Sequence, residues 1–166
     1  TEIYTLSLHD ALPISRSVIR SGHRWPMTKH PDCLIDTNVV LRHVLNDDPK
    51  QAAAVKSVFD ALRSGEKAAL LLESVLAECV YILLHYYEVP KTEVVEKLDG
   101  VLRYPGIVNR DKHDLREALK LFGEHAIDFV DCLLVSKARI GELELVTFDE
   151  KLKKMRENYL MSAVSG

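Results

Sequence analysis

Asp36, Glu78, Asp131 and Asp149 each end or interrupt an apolar run, in four separate stretches of the chain. Asp36 follows Cys33-Leu34-Ile35, and Glu78 splits Val75-Leu76-Ala77 from Cys79-Val80-Tyr81. Asp131 lies between Phe129-Val130 and Cys132-Leu133-Leu134, and Asp149 follows Leu145-Val146-Thr147-Phe148. An ionised carboxylate among apolar neighbours has to be paired, hydrogen-bonded or metal-bound, or it takes up a proton. No cation lies inside any of these runs, so the four acids point to one shared site for a divalent cation. Oxygen-only ligation suits Mg2+, with Mn2+ as the alternative. Such a site polarises a phosphodiester, activates water and stabilises the departing oxygen, which is hydrolysis of a nucleic-acid backbone.

The elements that must position these acids read as short apolar strands alternating with helices. Cys33–Ile35 is strand 1, and Thr37 and Asn38 can cap the helix that follows it. Asp48-Pro49 starts a second helix that stops at Ser64-Gly65. Ala68–Leu72 is strand 2, and the helix after it, over about 75–87, is apolar almost all round and so buried or part of an interface. Pro90 opens a helix that Pro105-Gly106 breaks, and Ile107-Val108 is a weak strand 3. An amphipathic helix begins at Asp111, and Asp128 caps the helix that holds Asp131. Leu143–Phe148 is strand 4, with a short basic helix from Glu150. This order makes an α/β sandwich around a parallel sheet. Ligands of such sheets bind beyond the carboxyl ends of the strands, where all four acids would arrive.

Each acid has a plainer use. Asp36 could make an Asx turn, and Asp149 could cap the helix at Glu150. Asp131 competes with Asp128, one helical turn earlier, which is read as a cap or supporting acid. Glu78 gains nothing local in the middle of an apolar helix.

At 166 residues the chain fits one domain, and 47% apolar with 28% charged residues is a globular composition. A net charge of −3 gives no global nucleic-acid footprint, so any RNA contact needs a local basic patch. The dispersed Cys33, Cys79 and Cys132 read as reduced thiols in a cytoplasmic protein, and no apolar stretch is long enough to span a membrane. None of the seven histidines forms a metal-binding pair. Residues 1–26 show no sustained period, and TEIYTLSLHDALPIS resembles translated adapter sequence. They are read as a non-native or disordered extension before Met27, with a nuclease domain over 27–158 and a tail over 159–166.

The stretches LIDTNVVLRHVLNDDP, SVLAECVYIL, DFVDCLLVSKA and LVTFDEKL, taken in order, resemble the PIN domain, and most of all the VapC-type toxins of bacterial toxin–antitoxin modules. The resemblance covers roughly Cys33 to Leu152. It implies a three-layer α/β/α sandwich around a short, mostly parallel sheet, and Mg2+-dependent RNA cleavage restrained by a cognate antitoxin. Family ligands fall on Asp36, Glu78, Asp131 and Asp149, with Asn38 and Thr147 as polar supports. Homodimers are typical of the family, and the apolar helix ending in Tyr86-Tyr87 independently suggests a partner.

Basic residues beside the acids fit phosphate contact: Arg42 and His43, Lys137 and Arg139, and Lys151. Lys153 and Arg156 read more simply as a solvated helix face. Three other readings compete. A housekeeping RNA-processing nuclease of the same family is one, and a catalytically silent binding module is another. A haloacid-dehalogenase-type phosphatase is disfavoured, because it needs an acid where Asn38 stands.

Overall fold

The computed structural model describes residues 30–45 and 49–164, with side chains from Val55 onward in the second helix and up to Glu157 in the last. The expectations for residues 1–26 and for the Asp48 cap lie outside the described residues. The described chain is an α/β fold of seven helices and a small parallel sheet. The elements run β1 (Cys33–Leu34), α1 (Thr37–Leu45), α2 (Pro49–Ser64), β2 (Ala69–Leu70), α3 (Glu73–His85), α4 (Lys91–Leu102), α5 (Lys112–Glu124), α6 (Phe129–Ile140) and α7 (Glu150–Val164).

β1 and β2 pair in parallel, with Cys33 opposite Ala69 and Leu34 opposite Leu70. The expected strand 3 is reduced to a parallel bridge between Ala69 and Ile107. Beyond that bridge a side chain continues the ladder. Asn109 accepts from the Leu71 N–H at 2.9 Å and donates to the Leu71 carbonyl at 2.8 Å.

Strand 4 is not formed. Residues 143–148 run without regular structure, and Phe148 is 98% exposed. β1 offers an edge only two residues long, and a ladder that short does not offset the entropy of ordering six residues. The described sheet therefore has two strands rather than the fuller centre of a three-layer sandwich. The last helix is also longer than expected. It continues through most of the 159–166 tail, where Tyr159-Leu160-Met161 supplies no breaker.

The helices turn one face each to a common core. α1 buries Thr37, Val40, Leu41 and Val44, and α5 buries Leu115, Ala118, Leu119, Leu121 and Phe122. Of the two readings of α3, buried or part of an interface, full burial within the described chain does not hold. Leu76, Cys79, Val80 and Leu83 face inward, whereas Ser74, Glu78, Tyr81 and His85 form an exposed stripe at helical spacing. Phe59, Leu62, Leu71, Leu98, Leu102 and Ile107 complete the fully buried centre.

His43 belongs to this packing and not to a basic patch. Its ring stacks on Phe59 with centroids 3.7 Å apart, and its Nε2 lies 3.1 Å from the Tyr104 hydroxyl. Burial, then the Arg63 and Lys97 cations against the opposing pull of Asp60, brings its pKa down to about 4. The neutral ring is the folded form. Its contribution is therefore complete above an unfolded pKa of about 6.5 and is lost as pH falls through 4. Discounted for partial exposure, this amounts to roughly 1–2 kcal/mol. Thermal melts between pH 7 and pH 4 should fall more steeply for the wild type than for His43→Gln; parallel curves would contradict it.

Candidate active site

The strand-to-helix turn after β1 builds the first half of the site. Asp36 caps α1: its Oδ1 accepts the Val39 N–H at 2.9 Å, and its carbonyl accepts Val40 N–H. The next residue, Thr37, is buried, and its hydroxyl donates to Glu78 Oε2 on α3. Beneath them lies Cys79. Burial, then the charges of Glu78 and Asp36, push its thiol up to about 12, so both carboxylates act on the same buried sulfur. Asp36, Thr37 and Glu78 thus form one connected group across α1 and α3.

The second half gathers Asp128, Asp131 and Asp149. Asp131 is half-buried, and burial, followed by the charges of Asp128 and Asp149, holds it above the ordinary carboxylate range. Asp149 caps α7 through Oδ1, which accepts from Lys151 N–H at 2.7 Å and Leu152 N–H at 3.3 Å. Thr147 sets that turn by accepting the Asp149 N–H at 3.1 Å. Asp128 occupies the cap position of α6 through its backbone, but its side chain makes no capping bond.

The structure therefore brings Asp36 to Glu78, and Asp131 to Asp149 and Asp128. It does not join the two groups: among the described residues no three His, Cys, Asp or Glu side chains converge tightly enough to hold a metal ion. Drawing four carboxylates to one point costs like-charge repulsion that a divalent cation offsets. The donors fit such an ion chemically, being all oxygen, with the nearby Cys79 held as a protonated thiol.

Asp36, Glu78 and Asp149 are solvent-exposed, which corrects the reading that all four acids sit in apolar surroundings. Apolar sequence neighbours of Glu78 point to the other side of α3, so adjacency along the chain overstated its burial. Asn38 is exposed in the first turn of α1. Of the expected phosphate contacts, Lys151 is exposed, while Arg42 and Arg139 are half-buried and engaged in other interactions. Lys137 is not available for that role, because its ammonium lies 2.8 Å from Glu73 Oε1 and 3.1 Å from Asp111 Oδ2. Lys153 pairs with Glu150 at 2.6 Å, in line with a solvated helix face.

Thr37, Glu73 and Asp111 were missed as contributors. Thr37 was legible only as a capper. Glu73 follows strand 2 at the same sheet edge as Asp36, a position that was there to be read.

Comparison with known proteins bears on the same stretch. The PIN domain family matches residues 33–158. A VapC ribonuclease from Aquifex aeolicus (strain VF5) is 29% identical over 123 residues, covering 74% of this chain and 90% of that protein. No solved structure matches significantly.

Proposed function

The chain belongs to the PIN-domain family, and from that premise we infer that it is a divalent-metal-dependent endoribonuclease, the toxin of a bacterial toxin–antitoxin pair. The observation that carries this is the family match over 33–158, which contains all four acids in order, together with the two carboxylate groups at the starts of α1, α6 and α7 and on α3. The resemblance to a VapC ribonuclease supports RNA as substrate and an antitoxin as partner.

Asp36, Glu78, Asp131 and Asp149 would hold Mg2+ or Mn2+. When bound, the ion would neutralise phosphodiester charge and supply an activated water. The chain's own residues prepare that work. Thr37 fixes the rotamer of Glu78 by donating to it, and the α1 cap holds Asp36 rigid. Thr147 sets the turn that aims Asp149. Lys151 is the basic residue nearest in sequence to Asp149, and its exposed side chain fits contact with a flanking phosphate.

Two finer features belong to this reading. The helices flanking the short sheet are read as the outer layers of the three-layer sandwich, with residues 143–148 left outside the sheet. Exposed Tyr81, Tyr86, Val130 and Leu134, on and just after α3 and on α6, are the apolar surface for homodimerisation. Among the described residues no helix is long and apolar enough to cross a membrane, and a cytoplasmic site of action follows from the toxin reading.

One preparation tests the proposal. RNA incubated with the protein and Mn2+ should be cut internally, cutting should stop with EDTA, and light scattering should give twice the chain mass. RNA left intact with Mg2+ and with Mn2+ would refute the nuclease assignment.

A further inference from the structure

We propose that Lys137 is a positioning residue whose ammonium, clasped between Glu73 and Asp111, sets the separation of α6 from α3 and with it the placement of Asp131 relative to Glu78. The proposal rests on the nuclease reading only for what those two acids do; the clasp itself is geometric.

Lys137 stands on α6, six residues beyond Asp131, and Glu73 opens α3, five residues before Glu78. Their ion pair at 2.8 Å is thus a direct strut between the two helices that carry the two halves of the site. Asp111, immediately before α5, takes the same ammonium at 3.1 Å. The network continues inward. Asn109 Nδ2 lies 3.3 Å from Asp111 Oδ1, and the same side chain holds both backbone groups of Leu71. One polar chain therefore runs from the end of β2 through Asn109 and Asp111 to Lys137 and Glu73, along the carboxyl edge of the sheet.

These contacts differ from the other ion pairs described. Lys56–Asp60, Lys97–Glu93 and Lys153–Glu150 each stay within one helix, and Arg103 and Arg116 meet at Asp99 between α4 and α5. Lys137 reaches from α6 to α3, two helices that otherwise touch over a short stretch. Its side chain is 30% exposed and that of Asp111 27%, so the pair is shielded more than a rim ion pair. Partial burial alone would lower the Lys137 pKa, yet Glu73 and Asp111 hold it above the ordinary lysine range. One cation thus ties α3 to the consecutive pair α5 and α6.

The test compares full-length wild type with Lys137→Met, Lys137→Arg and Glu73→Gln, by amide hydrogen exchange without metal and by Mn2+ titration calorimetry. In Lys137→Met, exchange should rise about ten-fold in the first turns of α3 and along α6, with α4 unchanged, and Mn2+ should bind about ten-fold more weakly. Lys137→Arg should restore both to near wild type. Glu73→Gln, at a half-exposed position that tolerates the change, should give an intermediate effect and covers the case in which Lys137→Met does not fold. Wild-type exchange in both Lys137→Met and Glu73→Gln overturns the proposal, as does a uniform rise across every helix. If the wild type itself takes up no Mn2+, the nuclease reading fails while the exchange data still decide the clasp.

Discussion

Asp36→Asn is expected to lower the rate of RNA cleavage on the order of 100- to 1000-fold while leaving the melting temperature nearly unchanged. The asparagine keeps an oxygen for the Val39 N–H, so the cap of α1 survives and only the charge is lost. Asp36→Ala would remove both, at a cost of about 1 kcal/mol in helix stability, and could not separate them. Glu78→Gln should act similarly, since Glu78 is exposed and contributes no core packing. Thr37→Val adds a graded step. It preserves shape, removes the hydrogen bond that orients Glu78, and should cost about ten-fold in activity. Single-turnover cleavage of a labelled RNA measures all three. Full activity in Asp36→Asn and Glu78→Gln would remove these acids from the chemistry.

Gly106→Ala should destabilise the fold by about 3 kcal/mol, or roughly 6–12 °C in melting temperature. A Cβ at Gly106 would lie 2.3 Å from the Lys67 carbonyl oxygen, 2.6 Å from that of Leu62 and 2.7 Å from Leu62 Cα. Those are backbone atoms, and no rotamer change relieves them. The crowding has a cause. Gly106 donates its N–H to Leu62 at the end of α2 and accepts from Ala69 of β2, so three segments meet where a side chain has no room. Gly100 is the contrast. A Cβ there meets nothing within 4 Å, and within α4 alanine should stabilise by up to about 1 kcal/mol. Equal melting temperatures for the two variants would contradict this packing.

Much of this architecture is readable before any coordinates. Pro49, Ser64-Gly65, Pro90 and Pro105-Gly106 punctuate the chain where helices start and stop, because backbone chemistry there is local. The cap at Asp149 is legible for the same reason, whereas the cap of α1, expected from Thr37 and Asn38, is made by Asp36. What escaped reading depends on contacts far apart in sequence. Glu78 seemed embedded because its neighbours along the chain are apolar, yet a helix sends them to the opposite face. Residues 143–148 carry strand composition, but pairing depends on how much edge a distant segment offers. Lys137 invited a nucleic-acid role from its charge alone. Only its distance to Glu73 and Asp111, 64 and 26 residues away along the chain, shows it to be occupied.

The unpaired stretch after Gly141 also bears on handling the molecule. Leu-Glu-Leu-Val-Thr-Phe is a six-residue segment of strand-forming make-up, free of proline and with a single charge at Glu144. Left outside the sheet, such a segment invites copies of the chain to zip together into insoluble stacks. Glu144 is the one charge inside the segment, between the flanking Glu142 and Asp149, so preparations concentrated without a covering partner should cloud first when that charge is neutralised.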